Sequence, residues 1–227
     1  MKKQKFNIAK EVLDEQHQHW ENTLSKKPDM FGKEPSDPAQ KAAELFKKED
    51  KTSILELGGG QGRDTIFFAR NGFIVFVLDY SQEGLETITQ KARASGLSHL
   101  ITTKHHDIRK SLPFDDDSFD ACYSHMLYCM ALTTSELQFL TDEIMRVLRP
   151  GGLNIYTVRH TNDTHYGSGI HRGEDMYEVG GFIVHYFSVE KVEQLAKGFQ
   201  IVGIDEFEEG PLPRKLFRVT LRKKNGN

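Results

Sequence analysis

Glu56-Leu57-Gly58-Gly59-Gly60-Gln61-Gly62 is the stretch on which the reading of this chain turns. Ser53-Ile54-Leu55-Glu56-Leu57 reads as a short apolar strand that runs into the glycines, and the residues after them, 64–70, carry a helical pattern closed by Asn71-Gly72. A strand that ends in glycines and feeds a helix presents backbone N–H groups to a ligand with no Cβ in the way. The spacing narrows the ligand. A dinucleotide turn needs glycine at the first, third and sixth positions, and counting from Gly58 the sixth is Arg63, which weakens that reading. A phosphate-binding P-loop needs Gly-Lys-Ser/Thr, whereas Gly62 is followed by Arg63-Asp64, so that reading fails.

Outward from the glycines, strand and helix signals alternate. Phe73-Ile74-Val75-Phe76-Val77-Leu78 is a continuous apolar run ending at Asp79, as in a parallel strand covered on both faces. The pattern predicts a helix over 82–94, strands over 101–105 and 119–124, a helix over 135–148, a turn at Arg149-Pro150-Gly151-Gly152 and a strand over 153–158. A helix over 189–196 and strands over 200–207 and 215–221 follow, and the short link between those strands favours an antiparallel hairpin. The stretch 159–186 breaks the rhythm and is rich in His, Gly and Asp, so it reads as a substrate-side insert or long functional loop. Before the domain at 38–227, residues 1–37 form a cover segment with a polar helix over 10–24, the single Trp20 and prolines 28 and 35; Trp20 either contacts a ligand or anchors this helix.

The pattern acidic-x-Gly-x-Gly-x-Gly resembles the first motif of class I methyltransferases, and the downstream landmarks agree with it. Asp79 stands where that family binds the ribose hydroxyls, with Tyr80 beside it. Asp107-Ile108 stands where the family faces the adenine. The approach Leu112-Pro113-Phe114 through Phe119-Asp120 and the turn Leu148-Arg149-Pro150-Gly151-Gly152 resemble the family's as well. Gly60-Gln61-Gly62-Arg63-Asp64 and Asn71-Gly72-Phe73 are similar to small-molecule enzymes of the tellurite-resistance-like subgroup. The resemblance implies an α/β three-layer sandwich with a Rossmann-like, mostly parallel seven-stranded sheet and a reversed last strand. It also implies S-adenosylmethionine as cofactor, held by Glu56, Gly58, Gly60, Gln61, Gly62, Asp79, Tyr80, Asp107, Ile108 and His125, and a small-molecule acceptor. Asp107 could instead pair with Arg109 or cap a turn.

Methyl transfer from a sulfonium is an in-line displacement whose donor is already activated, so alignment and exclusion of water are the protein's main tasks. A soft nucleophile needs no base; a hydroxyl does. Ligands lie beyond the carboxyl ends of parallel strands, which makes His125 the first candidate near the reacting atoms, with His160 and Tyr128 after it; either histidine could equally be structural. Arg159, Arg172 and Arg214 could grip an anionic acceptor. The histidines of the insert lack the spacing of a helical zinc motif, so no metal is expected. Two other readings stay open: a nucleotide-cofactor oxidoreductase on a similar fold, and a binding module without turnover.

The whole-chain figures bound these readings. At 227 residues the chain suits one domain with a small cover. A net charge of −3 gives no general field for nucleic acid, and the basic ends, Lys2 to Lys5 and Arg222 to Lys224, read as solvated tails. No apolar run approaches a membrane span, and Met1-Lys2-Lys3-Gln4-Lys5-Phe6 is not followed by the core of a secretory signal, so a cytoplasmic monomer or homodimer is expected. Cys122 and Cys129, the two cysteines, read as buried apolar residues.

Overall fold

The computed structural model describes residues 10–27, 29–210 and 214–225. The basic stretch Lys2 to Lys5, Pro28 and the centre of the link before the last strand lie outside the described residues.

Helices α1 (Lys10–Lys26) and α2 (Asp37–Lys48) precede an alternating series: β1 (Ser53–Leu57), α3 (Arg63–Arg70), β2 (Ile74–Asp79), α4 (Gln82–Ala94), β3 (Ile101–His105), β4 (Phe119–His125), α5 (Thr134–Val147) and β5 (Leu148–Arg159). Then come β6 (Ile170–Gly173), β7 (Met176–Val179), β8 (Phe182–His185), α6 (Val189–Leu195), β9 (Phe199–Glu209) and β10 (Arg214–Lys223). Local chemistry sets the helix starts. Ser36 caps α2 through its hydroxyl, Ser81 caps α4, and Thr133 with Glu136 forms a reciprocal capping box on α5.

The main sheet has the order β3-β2-β1-β4-β5-β10-β9. The first five strands pair in parallel, and β10 runs antiparallel to both β5 and β9. The reversed last strand is therefore slotted inside the sheet, one place from its edge. The strand order reverses at β1, with β2 on one side and β4 on the other, so the crevice beyond their carboxyl ends is where this architecture binds ligands. Apolar clusters cover both faces, one centred on Leu57, Tyr128, Tyr156 and Phe217, the other on Phe46, Phe68, Val75 and Tyr123.

Two regions depart from the sequence pattern. Arg149 to Gly152 is not a turn ahead of the strand; it lies within β5, where pairing with β4 slips from Phe119↔Leu148 to Ala121↔Leu153. The four residues bulge out, and Gly151 takes a φ of +74° there. The insert is also more ordered than a loop. Its strands form a separate antiparallel sheet, β6-β7-β8, which packs on α1 through Leu13, Ala131, Met176 and Ile183. The Gln16 amide works like one more strand position, donating to the carbonyl of Gly181 (2.9 Å) and accepting from the N–H of Ile183 (3.1 Å).

Candidate active site

The glycine turn is built by sterics as much as by hydrogen bonding. Gly58, Gly60 and Gly62 have φ values of +70°, +54° and +81°, which side-chain-bearing residues rarely adopt. A Cβ on Gly62 would lie 2.6 Å from Ile88 of α4, and one on Gly59 would lie 2.6 Å from Val77 of β2. The turn is thus pressed between its neighbours. Asp79, at the end of β2, accepts from the N–H of Gly60 (2.9 Å) with one oxygen and from that of Ser81 (2.8 Å) with the other. Glu56 is buried and takes the hydroxyl of Thr65 at 2.6 Å.

These carboxylates sit in an environment that resists charge. Burial, against the hydroxyl of Thr65, pushes the Glu56 carboxyl up to about 8, with Asp64 and Asp79 adding repulsion. Burial also raises Asp79 despite its amide partners. A cation lodged beside them would relieve both, and a cationic ligand is what the donor set favours.

The turn opens on a cavity of about 640 Å³ bounded by Glu56, the glycines, Asp79, Tyr80, Ile108 and His125. The far wall comes from distant segments: Trp20 and Phe31, then Tyr177, Phe182, Ile183, Val184 and Tyr186 of the insert and its exit. Trp20 lies 4.8 Å from the Phe182 ring and 6.4 Å from that of Phe31, which faces Gly60. Gln61 ties the two walls. Its amide donates to the carbonyls of Leu24 and Lys27 and accepts from the N–H of Met30, so this side chain is spent on the N-terminal segment while its backbone stays in the turn.

The other candidate residues separate by place. His125 borders the cavity, with Nδ1 at 3.0 Å from the Thr157 hydroxyl and Nε2 at 3.3 Å from Glu209. Tyr128 does not reach it. It is fully buried, stacked on Tyr156 at 4.1 Å, and its hydroxyl meets Asn154. The chain turns just after β4, with Met126 at φ +63°, and Tyr128 enters the core while Leu127 stays on the cavity. His160 is likewise off the cavity, stacked on Phe217 at 4.6 Å and accepting from the N–H of Asn162. Asp107 lies in a smaller adjoining cavity of about 250 Å³ that shares Tyr80 and Ile108 with the main one. Burial works against its ionisation, but the Arg109 guanidinium, at 2.8 to 3.1 Å, outweighs it and holds the carboxyl below its usual range. Arg172 is paired with Glu178 and is not among the cavity residues.

Three participants carry no sequence signal. Asp163, with a fully buried side chain, accepts both Nε and Nη2 of Arg159 at the cavity's edge, and the N–H groups of His165 and Lys215. Thr157 reaches His125 from β5, and Glu209 comes from the end of β9. Among the described residues no cluster of His, Cys, Asp and Glu is arranged to hold a metal ion, and no helix is long and apolar enough to cross a membrane.

The stretch 54–152, from β1 into β5, matches the sequence model of a family described as "Methyltransferase domain". Residues 54–152 resemble a methyltransferase domain. Around it the likeness is looser. A demethylmenaquinone methyltransferase of Clavibacter sepedonicus is 32% identical over 99 residues, and an uncharacterised methyltransferase of a Mycobacterium species is 30% identical over 162. These matches span 44% and 65% of this chain and 38% and 60% of the relatives' own length. Among solved structures, Burkholderia thailandensis 1,6-didemethyltoxoflavin-N1-methyltransferase, with that compound and S-adenosylhomocysteine bound, aligns at a TM-score of 0.75 and 16% identity over 96% of this chain and 92% of its own. TehB from Haemophilus influenzae, a tellurite-resistance methyltransferase, aligns at 0.67 and 16% identity over 90% and 67%. The sheet order around residues 54–152 is the class I, Rossmann-like fold.

Proposed function

We propose that this chain is an S-adenosylmethionine-dependent methyltransferase acting on a small, largely apolar ring compound. The observation that carries the reading is the steric and electrostatic build of the glycine turn. Gly59 and Gly62 leave no room for side chains, and two buried carboxyl groups with raised proton affinity face the space beside the turn. The bound cofactor supplies an electrophilic methyl group on a sulfonium. Asp79 would hold the ribose diol, because each of its oxygens keeps a lone pair beyond the amide it already accepts. Glu56 and the backbone of Gly58 to Gly62 would hold the cationic amino acid end, and Tyr80, Asp107 and Ile108 the adenine.

The rest of the cavity is for the acceptor. The whole cavity, cofactor space included, lies within the ~300–1,000 Å³ of sites that enclose small molecules, and the wall of Trp20, Tyr177, Phe182 and Tyr186 suits a planar ring. The names of two relatives, acting on demethylmenaquinone and on 1,6-didemethyltoxoflavin, are in keeping with a ring acceptor. Residues 10–37 and the insert 159–186 act as the cover that excludes water while the acceptor is aligned.

Calorimetric titration with S-adenosylhomocysteine tests the reading. Saturable binding at one site supports it. Absence of binding, or preferential binding of NAD(H), replaces it with another cofactor class.

A further inference from the structure

His125, Thr157 and Glu209 come from the ends of β4, β5 and β9, and the site brings them into one line. The Thr157 hydroxyl accepts from the N–H of Met126 at 2.9 Å and lies 3.0 Å from Nδ1 of His125, to which it can give its own proton. With Nδ1 accepting, the imidazole proton is on Nε2, which lies 3.3 Å from Oε1 of Glu209. Glu209 borders the same cavity as the glycine turn, and around it stand the His125 ring from β4 and two guanidinium groups, Arg63 from α3 (3.6 Å) and Arg214 from β10. Burial opposes its charged form, but these neighbours outweigh it and hold the carboxyl below its usual range, so it stands as an anionic proton acceptor.

A thiolate or metalloid oxyanion would have no use for such a group, since it reaches the methyl carbon without a proton to lose. We infer that Glu209, positioned by His125 and Thr157, takes the proton from an acceptor that is methylated at an N–H or O–H group. This rests on the methyltransferase reading above. As the acceptor heteroatom bonds to the methyl carbon and the carbon–sulfur electron pair stays with sulfur, the proton passes from the heteroatom to Oε2 of Glu209. Charge is balanced within the cleft: a cationic donor and an anionic carboxylate both become neutral. His125 is a positioning residue, and Glu209 is the group that meets the substrate.

Two measurements test this, after calorimetry has shown whether S-adenosylhomocysteine binds; failure there removes the methyltransferase reading itself. The first needs no turnover. A long-range proton–nitrogen spectrum of the ligand-free protein, with His125 assigned through His125→Asn, shows the Nε2–H tautomer, and loss of that preference in Thr157→Val supports the relay. An Nδ1–H tautomer overturns it. The second follows radiolabelled methyl transfer to lumazine (N–H), catechol (O–H) and benzenethiol. Glu209→Gln lowers kcat for the N–H or O–H probe by at least ~100-fold with KM changed less than ~3-fold, Glu209→Asp recovers at least ~10-fold, and the loss with benzenethiol is at least ~10-fold smaller. Equal losses for all probes would mark Glu209 as structural only. Transfer by the cofactor-binding wild type to benzenethiol alone, or to no N–H or O–H probe, refutes the substrate class.

Discussion

The two sides of the cleft are built in opposite ways. The cofactor side is built mostly from one stretch, β1 through α4, in which Gly59 and Gly62 are pressed by Val77 and Ile88 of that same stretch. The acceptor side is assembled from α1, the small sheet β6-β7-β8 and the ends of β4, β5 and β9, held by polar ties across 50 to 170 residues of sequence: Lys215 to Asp163, Gln16 to Ile183. One side is specified by excluded volume, the other by hydrogen bonds between remote parts. A side specified by volume tolerates almost no substitution; a side held by individual bonds can change its ligand one bond at a time.

The largest effect should come from the acceptor side if its ties are truly structural. Asp163→Ala leaves the buried Arg159 unpaired and is expected to cost about 3–5 kcal/mol in chemical denaturation; a loss under about 1 kcal/mol would mean the insert does not brace the domain. On the cofactor side, Gly62→Val adds a branched side chain at φ +81° against Ile88, with an expected cost of about 3 kcal/mol and no detectable S-adenosylhomocysteine binding. Asp79→Ala should weaken that binding by about 1–3 kcal/mol in calorimetry through loss of charged hydrogen bonds.

Glu56 gives the cofactor side a pH signature. Its folded value, about 8, is raised from the usual 4.5, so the native state keeps a proton that the unfolded chain has lost. Stability from this group is therefore full below pH 4.5, declines as pH rises toward 8 and is flat above it, with a slope of at most about 1.4 kcal/mol per pH unit. Denaturation of Glu56→Gln at pH 5, 6.5 and 8 should lack this decline; an unchanged slope would assign it to other groups. The smallest change is Tyr128→Phe. It should cost about 0.5–1.5 kcal/mol by releasing Asn154 while leaving S-adenosylhomocysteine affinity unaltered, since Tyr128 stands in the core.

Most of the sheet was legible because its strands are continuous apolar runs bounded by helix caps: β1, α4 and β3 have the limits their patterns predict. The Arg149 to Gly152 bulge was not, because Pro and Gly-Gly signal a turn locally and only pairing with β4 shows that the strand continues through them. Within the site, Glu56 and Asp79 follow from their places at strand ends. Tyr128 and His160 follow the same rule and yet leave the cavity, Tyr128 after the left-handed turn at Met126 and His160 by stacking on Phe217. Position after a strand gives the neighbourhood of a side chain, not its direction.

The glycine spacing, with acidic residues closing the first two strands, determined from sequence alone which fold this chain adopts and which kind of cofactor turn it carries. Excluded volume makes that possible, since only glycine satisfies those positive φ values and close contacts and a short motif therefore records them. What faces the acceptor was decided by tertiary structure. His125, Thr157 and Glu209 lie up to 84 positions apart, and only the placement of β9 at the sheet's far edge with β10 slotted inside it brings the last of them to the first.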